Sequence, residues 1–314
     1  MRTLGITLGD PCGIGPEISA KALDYFCKKK LPFKFIVIGN KQSFLKACNF
    51  SGINSNNLLC IKEFIDIQSN LRYDNGPSIE GGEVSYQAIC KAAQLFKEKE
   101  IEAIVTAPIS KKSLHLAGYN FDGHTGLLGM LFKVQEPYLM LANKKFSTLH
   151  ITCHMSLSNA IKNISKEKVL ETIKIGHKHM LKLGKINPRL AICGLNPHAS
   201  EDGIFGTEEK NYLSPAILKA QKLGINIIGP ISPDIIFRDA NNGKYDLIVA
   251  NYHDQGHIPV KLLYFDQSVN VTLGVPFVRT SVDHGTAFDI AFKNLARARN
   301  MVAAIIYALK MIKN

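Results

Sequence analysis

Three histidines share one local setting. His154 follows the apolar run Leu149-His150-Ile151-Thr152-Cys153, His198 closes Gly194-Leu195-Asn196-Pro197-His198, and His253 follows Val249-Ala250-Asn251-Tyr252. Each is expected just past the carboxyl end of a strand, so one sheet can gather imidazoles that stand 44 and 55 residues apart. Three nitrogen ligands with open positions would make a catalytic divalent-metal site. Any one of them alone reads as a hydrogen-bonded structural histidine, and the repetition at three strand ends carries the metal expectation. Asp254 adjoins His253 and Asp234 sits in another candidate loop, where carboxylates can orient metal-held water or imidazole N–H groups.

The densest polar stretch runs from Tyr252 through Lys261 and Asn270 to Arg279 and the loop Asp283-His284-Gly285-Thr286-Ala287. It suits a small anionic substrate. Arg279 offers a bidentate fork, Lys261 a point charge or titratable amine, and Asn270 both donor and acceptor. His124 and Thr125 can each donate a hydrogen bond, and Gly123 and Gly126 on either side leave them accessible to a phosphate or hydroxyl. Near the start, Gly9-Asp10-Pro11-Cys12-Gly13-Ile14-Gly15-Pro16-Glu17 reads as a strand-to-helix turn whose free N–H groups can face an anion. Its spacing matches neither the dinucleotide G-x-G-x-x-G nor the phosphate loop G-x-x-x-x-G-K-[ST].

These groups must be held by alternating strands and helices. Apolar runs predict strands over 3–8, 35–39, 103–106, 190–193 and 246–250, and helical periodicity covers 17–28, 83–97, 166–183 and 301–312. Runs such as Phe35-Ile36-Val37-Ile38 require burial on both faces of a mostly parallel sheet, and open α/β sheets place ligands in the loops after strand ends. The fold class is therefore α/β, with the site in a cleft fed by several distant loops.

The chain has 314 residues, 46% hydrophobic and 20% charged, which excludes disordered, collagen-like and disulfide-scaffold classes. Seven scattered cysteines, never spaced C-x-x-C, read as reduced and mostly packing. No apolar run approaches the roughly 18 to 20 residues of a membrane helix, so no membrane partner and a cytoplasmic location are expected. The net charge of +12 suits an anionic partner, but the lysines of Lys28-Lys29-Lys30, 162–168 and 178–185 fall on presumed solvated helix faces. A phosphorylated small molecule, and no nucleic acid, is the expected partner.

The blocks GDPCGIGPE (9–17), TAPISK (106–111), DGHT (122–125), GLNPH (194–198), YHDQG (252–256) and NVTLGVPFVRTSVDHGT (270–286) span nearly the whole chain in order. Together they resemble 4-hydroxythreonine-4-phosphate dehydrogenase of the vitamin B6 pathway. The resemblance implies NAD- or NADP-linked oxidation of 4-phosphooxy-L-threonine, then decarboxylation to 3-amino-2-oxopropyl phosphate in pyridoxine 5'-phosphate biosynthesis. It implies metal binding (zinc, magnesium or cobalt) by His154, His198 and His253, and substrate contacts from His124, Thr125, Lys261, Asn270 and Arg279. Lys261 and Asp254 are the expected catalytic groups, and Asn270, Asp283, His284, Gly285 and Thr286 the expected cofactor contacts. It also implies two α/β/α domains like those of isocitrate and isopropylmalate dehydrogenases, with the active site in the interdomain cleft at a homodimer interface. The expected division is 1–125 plus 290–314 for the first domain and 126–289 for the second. Two positions depart from the family pattern: Gly126 replaces the Glu common after DGHT, and Phe292-Lys293-Asn294 lacks the glycine often found there. The alternatives are a paralogous dehydrogenase of 4-phosphorylated threonate or erythronate, and a metal-dependent hydrolase or lyase.

Overall fold

The computed structural model describes residues 2–29, 31–70 and 76–313. Lys30 of the first basic cluster lies outside the described residues. The chain forms two units, the first comprising residues up to Pro137 together with Val275–Lys313, the second Tyr138–Gly274.

The first unit contains β1 (Arg2–Thr7), α1 (Gly15–Lys28), β2 (Phe33–Gly39), α2 (Lys41–Phe50), β3 (Ile61–Asp66), α3 (Ile79–Lys97), β4 (Ala103–Thr106), α4 (Lys111–Leu116) and α5 (His124–Phe132). The second holds β5 (Tyr138–Ala142), β6 (Ser147–His150), α6 (Leu157–Lys162), α7 (Lys166–Lys182), β7 (Leu190–Cys193), α8 (Ser214–Lys222), β8 (Ile227–Ile231), α9 (Pro233–Asn241), β9 (Leu247–Ala250), α10 (His253–Tyr264) and β10 (Val269–Leu273). The chain then returns to the first unit with β11 (Val278–Val282) and α11 (Arg299–Lys313).

Strands of the first unit run β3-β2-β1-β4-β11, parallel at every pairing, with Leu4 opposite both Phe35 and Ala103. Burial on both faces explains why these segments read as unbroken apolar runs. Helix α3 lays Ala88, Ile89, Ala92 and Ala93 against Ile36, Ile38 and Ile104, joined by Leu127 and Leu128 of α5 and by Phe277. Ser78 caps α3 by accepting from the Gly81 N–H at 2.9 Å, and Pro16 stands in the first turn of α1, where its missing N–H costs nothing.

In the second unit the order is β10-β5-β6-β9-β7-β8; the first two pairings are antiparallel and the rest parallel. Its core gathers Leu141, Phe146, Cys193, Ile236, Ile248 and Val260. Ser165 caps α7 by accepting from Lys168, as the sequence Ser-x-x-Lys permits.

Strands β1, β2, β4, β7 and β9 and helices α1, α3, α7 and α11 fall within a few residues of the sequence expectation. The unit boundaries fall at 137/138 and 274/275, against 125/126 and 289/290 from sequence. The reason is packing: α5 buries Leu127 and Leu128 in the first core, and β11 pairs with β4. The cysteine reading is also corrected, because Cys27 and Cys60 form a disulfide, their Cα atoms 5.2 Å apart. Cys27 closes α1 and Cys60 precedes β3, so the bond joins segments that scattered spacing did not connect. Cys12, Cys48, Cys90, Cys153 and Cys193 are free thiols. Among the described residues, no helix is long and apolar enough to cross a membrane.

Candidate functional site

In the first unit, the parallel sheet delivers Arg279 from β11 beside Thr106 at the end of β4. The guanidinium is almost fully buried, 3% exposed, and donates from Nη2 to Thr106 Oγ1 at 2.8 Å. Burial pushes it down to about 9, so it enters neutral pH as a desolvated cation. His124 opens α5, following Gly123 at the N-cap with φ 114°. Its Nε2 is buried without a hydrogen-bond partner, and burial, helped by the Arg279 charge, holds the imidazole well below its usual range. No acidic residue occupies the first turn of α5, so the free N–H groups there keep their attraction for an anion. Gly126 in that turn borders open space, with only Phe121 at 4.0 Å from a built Cβ, so the departure from Glu leaves room and not a collapsed wall.

The turn after β1 is held differently from an open anion cradle. Asp10 is fully buried; its carboxylate accepts from the Cys12 N–H at 3.1 Å and from Ser113 Oγ at 2.7 Å. Burial raises the Asp10 pKa despite both bonds. Gly9 has φ +71° and lies so close to Pro108 that a Cβ would stand 2.1 Å from its carbonyl oxygen, which ties the GDPCG turn to the TAPISK loop. Ile14 donates its N–H to Thr286 O at 2.8 Å, so the turn supports the Asp283–Ala287 loop. In that loop His284 Nδ1 lies 3.1 Å from Gly285 O, and Gly285 is exposed with nothing within 4 Å of a built Cβ. Space for a cofactor's backbone contacts fits there. Phe292 and Asn294, where the family often has glycine, adopt left-handed φ of 56° and 59°; the chain makes a glycine-type bend with other residues.

In the second unit, Cys153, His154 and His253 each bring one ligand atom within 4.8 Å of the others. They line a cavity of about 280 Å³ with Tyr252 and Asp254. Asp254 Oδ1 lies 2.6 Å from His253 Nδ1; carboxylate acceptance there leaves Nε2 of His253 as the lone-pair donor. Burial pushes the Cys153 thiol up, so its sulfur becomes a soft ligand only on losing its proton to an incoming metal; with the imidazoles it then fits a divalent cation of the zinc or cobalt kind. Behind this group, His150 Nδ1 is 3.0 Å from Leu139 O, and His150 Nε2 is 3.1 Å from His257 Nδ1. Burial is the main cause holding His150 at about 4 and His257 at about 2, so both rings are neutral near pH 7.

His198 lies outside the Cys153, His154 and His253 group. It begins a run of five left-handed residues, His198 to Asp202, with φ between 43° and 76°. The preceding loop is anchored by Glu209, which accepts from the Leu195 and Asn196 N–H groups at 2.8 and 2.7 Å. Gln255 donates to Gly194 O at 2.8 Å, and Asn251 donates to Cys193 O at 2.9 Å, binding the ends of β7 and β9 together. Asp234 accepts from Ser232 Oγ, which holds its carboxyl below the usual carboxylate range. Lys261 lies on α10, eight residues beyond His253, its Nζ 5.7 Å from the Phe265 ring centroid. Asn270 lies on β10 opposite Leu141, its Oδ1 buried without a hydrogen-bond partner.

The structure thus gathers His124 and Arg279 in one unit, with Thr125 next in α5, and His154 and His253 in the other, with Asp254 alongside. Residue type alone does not point to Cys153, His150 or His257: Cys153 reads as packing and His150 as one residue of an apolar run. The signal for His257 was present as the i,i+4 spacing of His253-Asp254-Gln255-Gly256-His257 on a helix.

Residues 32–308 match the family described as pyridoxal phosphate biosynthetic protein PdxA. The chain is 39% identical to a 4-hydroxythreonine-4-phosphate dehydrogenase of Geobacter metallireducens, over 98% of this chain and 95% of that one. It is 38% identical to a D-threonate 4-phosphate dehydrogenase of Salmonella typhimurium, over 99% of both chains. A crystal structure of 4-hydroxythreonine-4-phosphate dehydrogenase from Klebsiella pneumoniae superposes with a TM-score of 0.85 at 34% identity, covering 100% of this chain and 98% of that one. Isocitrate dehydrogenase from Methylococcus capsulatus shares the fold alone, with a TM-score of 0.54 at 14% identity over 99% of this chain and 86% of that one.

Proposed function

The chain belongs to the family of pyridoxal phosphate biosynthetic protein PdxA, and from that premise we propose that it oxidises the C3 hydroxyl of 4-phosphooxy-L-threonine. The product then loses its carboxylate as carbon dioxide, leaving 3-amino-2-oxopropyl phosphate. The observation that carries the reading is the buried Arg279 cation beside His124 at an uncompensated helix start, a setting that rewards a phosphorylated anion.

A divalent cation supplies Lewis acidity toward a hydroxyl and its neighbouring carboxylate, and NAD or NADP supplies the hydride acceptor. His154 and His253, with Cys153 in reach, hold the cation; zinc, cobalt and magnesium are the candidates. Asp254 fixes the His253 ring by accepting at Nδ1. Arg279, His124 and Thr125 bind and orient the anionic groups, Asn270 accepts and donates at the substrate or cofactor, and Lys261 moves the hydroxyl proton at Nζ. The loop Asp283 to Thr286 receives the cofactor. His198 is exposed and stands apart from His154 and His253, which supports sites shared between two copies of the chain in a homodimer.

A second reading, oxidation of D-threonate 4-phosphate, is favoured by the relative of that name at nearly equal identity. The two substrates differ at one carbon, amine against hydroxyl, which a few pocket groups decide. The test strips the protein of metal, restores zinc, magnesium or cobalt, and follows nicotinamide reduction with each cofactor and each substrate. Metal-dependent reduction with 4-phosphooxy-L-threonine at the higher kcat/KM is the expected result. Preference for D-threonate 4-phosphate moves the assignment to the second reading, and no reduction under any combination overturns both.

A further inference from the structure

Helix α10 carries His253, His257 and Lys261 at spacings of four residues, one turn apart along one face. His257 occupies the middle of that face. Its ring stacks on His253 with centroids 3.7 Å apart and planes 13° from parallel. His150 reaches the same ring from β6, with centroids 4.7 Å apart.

The hydrogen bonds fix which nitrogens carry protons. Leu139 O only accepts, so His150 Nδ1 donates to it. His257 Nδ1 faces the His253 carbonyl oxygen at 3.1 Å, which also only accepts, so His257 Nδ1 carries its proton. His150 Nε2, 3.1 Å from that N–H, must then accept. The chain of donors runs from His257 to His150 to the backbone of β5. There is no slack in it: a Cβ on Gly256 would stand 2.3 Å from His150 Nε2 and 2.7 Å from Thr148 Cγ2, so the helix approaches this ring only because residue 256 is glycine.

We propose that His257, locked in one tautomer by His150, is a positioning residue that sets the orientation of the His253 ring. The proposal rests on the reading above that His253 is a metal ligand. With Asp254 at His253 Nδ1, one face of the ring against His257 and the helix pinned at Gly256, the Nε2 lone pair has one direction in which to point. Outer groups of this kind are worth about 10- to 100-fold in metal affinity.

The test measures Co²⁺ affinity by chelator competition, together with the visible d–d spectrum of the Co²⁺-loaded protein. His257→Leu is expected to weaken Co²⁺ binding about tenfold or more and to shift the d–d bands. The melting temperature of metal-free protein should stay close to wild type. His150→Leu is expected to act in the same direction, and the double variant to be no weaker than His257→Leu alone, because the pair acts as a unit. A long-range ¹H–¹⁵N spectrum of unmodified metal-free protein, which needs no variant to fold, is expected to show His257 protonated at Nδ1 and bare at Nε2. Wild-type Co²⁺ affinity and spectrum in His257→Leu, with binding lost in His253→Ala, would overturn the positioning role and leave the metal reading standing. The opposite His257 tautomer would overturn it too. Unchanged Co²⁺ binding in His253→Ala would overturn the metal reading, and the proposal with it.

Discussion

The two units solve opposite problems with the same means. In the first, burial takes water away from a fixed cation, Arg279, and holds it there charged beside a neutral His124, so the pocket gains by admitting an anion. In the second, burial keeps His150 and His257 neutral behind Cys153, His154 and His253, whose ligand atoms line a cavity that gains by admitting a cation. Desolvation is not a signature of one chemistry. What decides the ligand is whether the buried group can shed its charge: guanidinium resists and imidazole yields.

That contrast can be broken by exchange of effects between units. Arg279→Met is expected to lower kcat/KM by about 10³-fold, roughly 4 kcal/mol, through loss of charge-assisted contacts to the substrate. Calorimetric Co²⁺ affinity should not change, and His154→Ala should show the reverse pattern, losing the metal while retaining affinity for a phosphorylated ligand. A shared loss in either variant would mean that the two chemistries are not separable.

Acid sensitivity is the next largest effect. Unfolded imidazoles take a proton near 6.5, whereas burial holds His150 and His179 of the second unit at about 4 in the folded chain. Between these values the unfolded state carries more protons. Stability of metal-free protein therefore falls as pH drops from 6.5 toward 4, by on the order of 3 kcal/mol for each histidine. His124 in the first unit adds loss of the same sign. Denaturant midpoints across that range check it, and a flat profile would contradict the neutral-imidazole account.

A smaller effect is expected of Gly256→Ala, whose new methyl must displace His150 or Thr148. A stability loss of about 1 to 3 kcal/mol, read by denaturant unfolding, should accompany weaker Co²⁺ binding. Alanine in place of exposed Gly285, by contrast, meets nothing within 4 Å and should leave stability nearly unchanged.

The parallel core was legible because both-face burial leaves a continuous apolar run, as in Phe35-Ile36-Val37-Ile38. The antiparallel strands β5 and β10 were not: Tyr138–Ala142 and Val269–Leu273 are short, and no two-residue turn announces their pairing, which joins segments more than 120 residues apart. In the site, His154 and His253 stood out by place after strands, Arg279 by its guanidinium and His124 by the glycines on either side. The supporting shell did not, since His150 looks like one more residue of a buried strand until Leu139 and His257 are set around it. Nor does sequence spacing reveal that Cys153 and His154, adjacent in the chain, both reach His253, because that depends on the bend after β6.

The segment His198 to Asp202 has a mechanical meaning. A left-handed turn of five residues that are not glycine sits on the order of 1 to 2 kcal/mol per residue above its right-handed counterpart, so it behaves as a coiled spring held shut by clasps. The clasps are Ser200 Oγ on Gly206 O at 2.6 Å and Asn196 on Glu208 and Glu209. The imidazole at its first residue therefore takes its heading from bonds made elsewhere in the loop, not from the coil's own preference.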